Sequence, residues 1–147
     1  MVAKVAQSGT LDISCRADRT VPRMVRMLVG FRLAEWGLER VAEDVYLVAG
    51  ELVANAVQSA PDREIRVRFT RETGGVLLAV WDSAEGAPVV RPVVALTLDD
   101  VEADAFALDV GHEEGGRGLQ IVQALASDCG VRETPPVGKW VWAAMPC

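Results

Sequence analysis

Leu11, Ile13 and Cys15 sit at alternate positions, the period of a short strand with one face buried. A helix should follow. Asp18, Arg19 and Thr20 place capping side chains just before Pro22, a residue suited to a first helical turn. From there Val21, Met24, Val25, Leu28 and Phe31 or Arg32 recur at helical spacing up to Trp36-Gly37. A second helix is predicted from about Glu39 to Ala60, with Val41, Val45, Val48 and Leu52 as its apolar stripe and Pro61 as its stop. Glu39, Glu43 and Asp44 crowd its first turns, where the helix dipole favours negative charge.

The period then changes back to two. Ile65, Val67 and Phe69 alternate with Arg66 and Arg68, which predicts a strand whose basic residues face solvent. Gly74-Gly75 turns the chain into Val76 to Trp81, an unbroken apolar run that reads as a central buried strand. Between Ser83 and Gly115 the pattern dissolves among Pro88, Pro92 and many acids, with room for a short helix around Leu98 to Leu108. A long irregular segment inside a compact domain is usually a lid or a disordered piece. Gly115 to Gly118 then open a helix carrying Leu119, Ile121, Val122, Leu125 and Ala126, and two strands, Cys129 to Glu133 and Lys139 to Met145, close the chain. The order β-α-α-β-β-lid-α-β-β predicts a two-layer α/β (α+β) sandwich with a mostly antiparallel sheet. It is read as one domain over 1–147, with the lid at about 83–115.

Composition narrows the function. With 147 residues the chain can bury about 70% of its unfolded surface. No apolar run reaches the roughly 20 residues that cross a bilayer, and no signal layout opens the chain, so a cytoplasmic location is expected and no membrane partner. Cys15, Cys129 and Cys147 are widely spaced and odd in number, and His112 is the only histidine, which argues against a disulfide framework or a zinc site. A net charge of −6 without a basic stripe argues against direct nucleic-acid binding. It also means that a polyanion would have to be held by backbone N–H groups, a metal ion and one or two local cations.

Three groups of residues could carry chemistry. Glu51 and Asn55 lie one turn apart on the second helix, beside its apolar stripe. Asn55 offers a neutral oxygen of the kind Mg²⁺ accepts, and Glu51 could take a proton from an attacking hydroxyl or water. Taken alone, the pair is more simply an ordinary polar pair on a helix rim. Asp82 directly follows the apolar strand, where a carboxylate is costly unless paired and an adenine amino group would suit it; a turn residue is the plainer alternative. Gly115 to Leu119, GGRGL, would let backbone N–H groups approach a phosphate, with Arg117 as cation, although a flexible helix entry explains the glycines equally.

The ordered combination says more than its parts. Helical E-x-x-x-N, strand-terminal D-x-x-x-G, a long lid and GGRGL resemble the pattern of the GHKL (Bergerat-fold) ATPases. The wording ELVANA, VWDSAEGAP, GGRGLQIVQALA and GKWVWA resembles, within that superfamily, the anti-sigma-factor serine/threonine kinases of bacteria, over roughly Ala17 to Met145. The resemblance implies a Bergerat-type fold, a mixed and mostly antiparallel sheet with helices on one face, binding ATP or ADP with Mg²⁺. It implies Glu51 as general base, Asn55 as magnesium ligand, Asp82 at the adenine, Gly86 at the pocket floor, and Gly116, Arg117, Gly118 and Leu119 at the phosphates. It further implies a homodimer through the N-terminal strand and helix, a sigma factor held inactive, and a STAS-domain antagonist phosphorylated on serine or threonine. Three positions depart from the pattern: Ala84 replaces a glycine, Ser59 stands where relatives often carry histidine, and Trp140 stands where a threonine often helps bind adenine, so that its bulk could fill or cap that pocket. The altered positions favour a rival reading, a module that sequesters a partner without transferring phosphate; the Glu51–Asn55 pair favours the kinase. A histidine-kinase catalytic domain ranks last, because too few residues precede the first helix to supply a phosphoacceptor helix.

Overall fold

The computed structural model describes residues 2–5, 10–84 and 114–147, and of 2–5 and 114–119 only the backbone. Six strands form one sheet in the order β1-β2-β3-β4-β6-β5. They are β1 (Val2–Val5), β2 (Leu11–Arg16), β3 (Glu64–Glu72), β4 (Gly75–Asp82), β5 (Asp128–Glu133) and β6 (Lys139–Pro146). All five pairings are antiparallel. Among the described residues three helices pack with the sheet: α1 (Val21–Glu35), α2 (Ala42–Ser59), entered through a single 3₁₀ turn at Glu39–Val41, and α3 (Glu114–Leu125). The two-layer sandwich and the order of the described elements hold as read from the sequence. The added element is β1, an edge strand on β2.

Alternation decides which residues face the helices. On β3, Ile65, Val67 and Phe69 are buried, and on β4 Val76, Leu78, Val80 and Asp82. On β6, Lys139, Val141, Ala143 and Met145 point the same way. Opposite them α1 supplies Val21, Val25, Val29 and Leu33, and α2 supplies Val45, Val48, Ala49, Leu52, Val53 and Ala56, in one continuous core. At about 1.5–3 kcal/mol for each fully buried large apolar side chain, this layer is what holds the fold. Trp36, just beyond α1, meets Phe69 with ring centroids 5.1 Å apart.

Two details refine the helix stripes, which admitted either Phe31 or Arg32 on α1. Phe31 is 62% exposed, and its neighbour Arg32 is buried instead, its guanidinium 2.8 Å from Glu35. Val41 is only half-buried, because it lies in the 3₁₀ turn rather than in α2. Thr20 is the N-cap of α1 as expected, with Pro22 in the first turn, but its side chain makes no cap hydrogen bond. Its N–H and hydroxyl both donate to Asp18 Oδ1, which orders the entry to the helix.

The other sheet face is the solvent face foreseen for Arg66 and Arg68. Both guanidinium groups stack on Trp140, at 5.5 and 4.9 Å from its ring centroid, and both approach Asp12. The proposed lid and the short helix around 98–108 lie outside the described residues.

Candidate functional site

Asp82 and Lys139 are register partners at one end of the sheet. Their side chains point inward, 0% and 2% exposed, and Lys139 Nζ donates to Asp82 Oδ1 over 2.8 Å. The N–H of Ala84 donates to the same oxygen over 2.9 Å. The second carboxylate oxygen, Oδ2, is buried and among the described residues has no hydrogen-bond partner. The ion pair was not visible in the sequence, because only the register shows which β6 residue opposes Asp82.

That register also corrects the reading of Trp140. Trp140 opposes Trp81, not Asp82, and lies on the open sheet face under Arg66 and Arg68. A side chain one residue along a strand points to the other face, so its bulk cannot cap a pocket on the helix side. Lys139 occupies the inward position instead. Beside it Gly138 has φ +90°, and a Cβ there would come within 2.5 Å of the Trp81 ring, so a side chain is excluded twice over. Trp81 Nε1 donates to Thr134 Oγ1, which ties this ring to the β5–β6 loop.

Asn55 is buried in α2, and among the described residues its Nδ2 has no hydrogen-bond partner. An amide can turn its oxygen to the place of its nitrogen by a half-turn about its terminal bond, so the empty direction can receive either a donor or a metal ion. Glu51, one turn earlier, is half-buried. Only Ala60 to Arg63 separate α2 from β3, whose second residue, Ile65, pairs with Asp82. The second half of α2 is thereby brought to the Asp82 end of the sheet.

The helix α3 packs on α2. Only Ala126 and Ser127 join it to β5, and Ser127 bonds to Ala144 at the far end of β6. Gly116, Arg117, Gly118 and Leu119 lie in the first turns of α3. The helix begins at Glu114, one residue before the glycine cluster that was expected to open it. Gly86 lies outside the described residues.

Of the remaining departures, Ala84 has ordinary negative φ and contributes only its N–H, so the missing glycine imposes no backbone strain. Ser59 is exposed at the last position of α2. Burial, then the neighbouring Asp18 carboxylate, pushes the Cys15 thiol up; burial and Asp128 do the same to Cys129. Raised thiol pKa values keep both groups protonated and poorly nucleophilic, in line with packing roles.

The residues fit a bound magnesium nucleotide. Among the described residues there is no cluster of three or more histidine, cysteine or acidic side chains that could cage a metal on its own. An ion near Asn55 would therefore be held by one amide oxygen, waters and phosphates, the arrangement Mg²⁺ favours. Among the described residues Oδ2 of Asp82 is an acceptor without a donor, the complement of an exocyclic amino group.

A buried strand-end carboxylate, a buried amide on α2 and a glycine-rich start to α3 are the polar features carried by this antiparallel sheet and its helices. The chain belongs to the histidine kinase-like ATPase domain family, whose model matches residues 14–145. A chain in the crystal structure of the SiaB–SiaC complex from Pseudomonas aeruginosa has the same fold, with a TM-score of 0.59 and 17% sequence identity over 92% of this chain and 89% of that one. No curated protein matches significantly. No helix among the described residues is long and apolar enough to cross a membrane.

Proposed function

We propose that this chain is an ATP-binding anti-sigma regulatory factor of the cytoplasm, which phosphorylates a STAS-type antagonist on serine or threonine and sequesters a sigma factor. The carrying observation is the pair of orphaned buried polar groups, Asn55 Nδ2 and Asp82 Oδ2, in a member of an ATPase domain family. Each such group costs about 1–3 kcal/mol when left without a partner, so a ligand that completes both would recover that cost.

In this reading Asp82 accepts the adenine amino group, and Gly86 shapes the floor. Asn55 ligates Mg²⁺. Backbone N–H groups at Gly116, Gly118 and Leu119 and the Arg117 cation take the phosphates at the start of α3. Glu51 removes the proton from the partner's hydroxyl as phosphate is transferred. Family resemblance supplies these roles and the partners. The likeness to a chain solved within a two-protein complex agrees with a protein partner. Met27 and Phe31, 55% and 62% exposed on α1, offer apolar surface for a homodimer through the N-terminal strand and helix.

One observation favours the second reading, a sequestering module that needs no nucleotide. Lys139 already neutralises Asp82, so the buried charge is compensated without a ligand. Incubation with labelled ATP, Mg²⁺ and candidate STAS proteins separates the two. Label on the partner, lost in Glu51→Ala while nucleotide still binds, supports the kinase. Tight partner binding without transfer, together with no rise in melting temperature at millimolar nucleotide, supports the module.

A further inference from the structure

Lys139 is a costly choice for its position. A buried ion pair is often no more stabilising than two well-packed apolar side chains, so its presence calls for another reason. Both described bonds to the Asp82 carboxylate converge on Oδ1, from Lys139 Nζ and from the Ala84 N–H. Among the described residues Oδ2 is left without a partner. An ammonium carries three N–H donors, and among the described residues Nζ makes one hydrogen bond. A buried acceptor therefore stands beside a buried donor with spare capacity. The ring edge of adenine presents the complement, an amino donor at position 6 next to an acceptor nitrogen at position 1.

We propose that Lys139 is a specificity-determining residue, reading adenine jointly with Asp82: Oδ2 accepts from the 6-amino group and Nζ donates to N1. This rests on the nucleotide reading above and adds to it a base contact made by a charged side chain. Donation from Nζ to both Oδ1 and N1 keeps the ion pair intact when the base enters, so no charge is left bare at any stage.

The test uses the full chain with Mg²⁺ and compares ADP with 1-deaza-ADP, which lacks only the N1 acceptor, by isothermal titration calorimetry. Loss of one hydrogen bond from a charged donor should weaken binding about tenfold or more. Lys139→Met should bring the two ligands to equal affinity, and Lys139→Gln, which keeps a neutral N–H donor, should show an intermediate ratio. If Lys139→Met does not fold, Lys139→Gln carries the assignment to Lys139, and the wild-type ratio tests the N1 contact itself. Equal wild-type affinity for the two ligands overturns the Lys139 contact while leaving nucleotide binding in place. If neither ligand binds at millimolar concentration, the nucleotide reading itself fails and this contact with it.

Discussion

The sheet beneath α1 and the sheet at the end of β4 are made of opposite materials. Beneath α1, Leu11, Ile13, Val67 and Phe69 share one core with Val21, Val25, Val29 and Leu33, all nearly inaccessible and all apolar. At the other end the same layer is interrupted by Asp82, Lys139 and Asn55. Five buried side-chain atoms lack hydrogen-bond partners among the described residues, and three of them belong to Asn55, Asp82 and Ser83. An apolar layer repays the cost of ordering the chain; buried polar atoms without partners add to that cost. The difference teaches where stability is made and where it is given up, and a region that gives it up is where a ligand has something to restore.

The largest expected effect falls on the first region. Phe69→Ala should cost about 3–5 kcal/mol, since it empties a fully buried aromatic site. Chemical denaturation should show a lower midpoint, while the folded fraction binds Mg-ADP with unchanged affinity. In the second region, Lys139→Met should cost about 3 kcal/mol by stranding Asp82. The double variant Asp82→Leu, Lys139→Met should recover most of that loss and, unlike Phe69→Ala, abolish any rise in melting temperature with nucleotide. A double variant that stays as unstable as Lys139→Met would mean that the ion pair is structural.

The apolar region was legible in the sequence and the polar one only in outline. A period of two at Ile65 to Phe69 and a helical period through Val45, Val48 and Leu52 follow from which faces must be buried, so they appear in one dimension. Asp82, Asn55 and Glu51 were found as types at telling places. What could not be read was register: Lys139 and Trp140 are adjacent, and only the pairing of Asp82 with Lys139 assigns one inward and the other to the arginine-covered face. Arg32 and Phe31 were ambiguous for a related reason, since neighbouring residues border the same helical stripe and a long aliphatic stem can be buried beneath its charge. β1 carries too few residues to show a period and exists by pairing with β2.

Asn55→Leu sharpens the comparison with a smaller change. It replaces an orphaned buried amide by an apolar group of similar size, so stability should alter by about 1 kcal/mol or less, or rise. Mg-ATP affinity should nevertheless drop, because the proposed metal ligand is gone. A large loss of stability would show that the amide is already satisfied in the folded protein.

The smallest effect lies at the border of the apolar region, where Asp18 leads the chain into α1. Hydrogen bonds from the Thr20 hydroxyl, then from the Thr20 N–H, hold its carboxyl below the usual carboxylate range. The folded state therefore prefers the ionised form more than the unfolded state does. The stability this contributes is fully present above the unfolded pKa and is lost as pH falls through the lowered folded value. The group is wholly exposed, so solvent keeps the effect small. Melting temperatures of wild type and Asp18→Ala should differ slightly near neutral pH and converge in acid. A gap that persists at a pH well below the folded pKa would mean that Asp18 acts through its shape in the turn and not through its charge, and the entry to α1 would then be as insensitive to pH as the apolar layer it leads into.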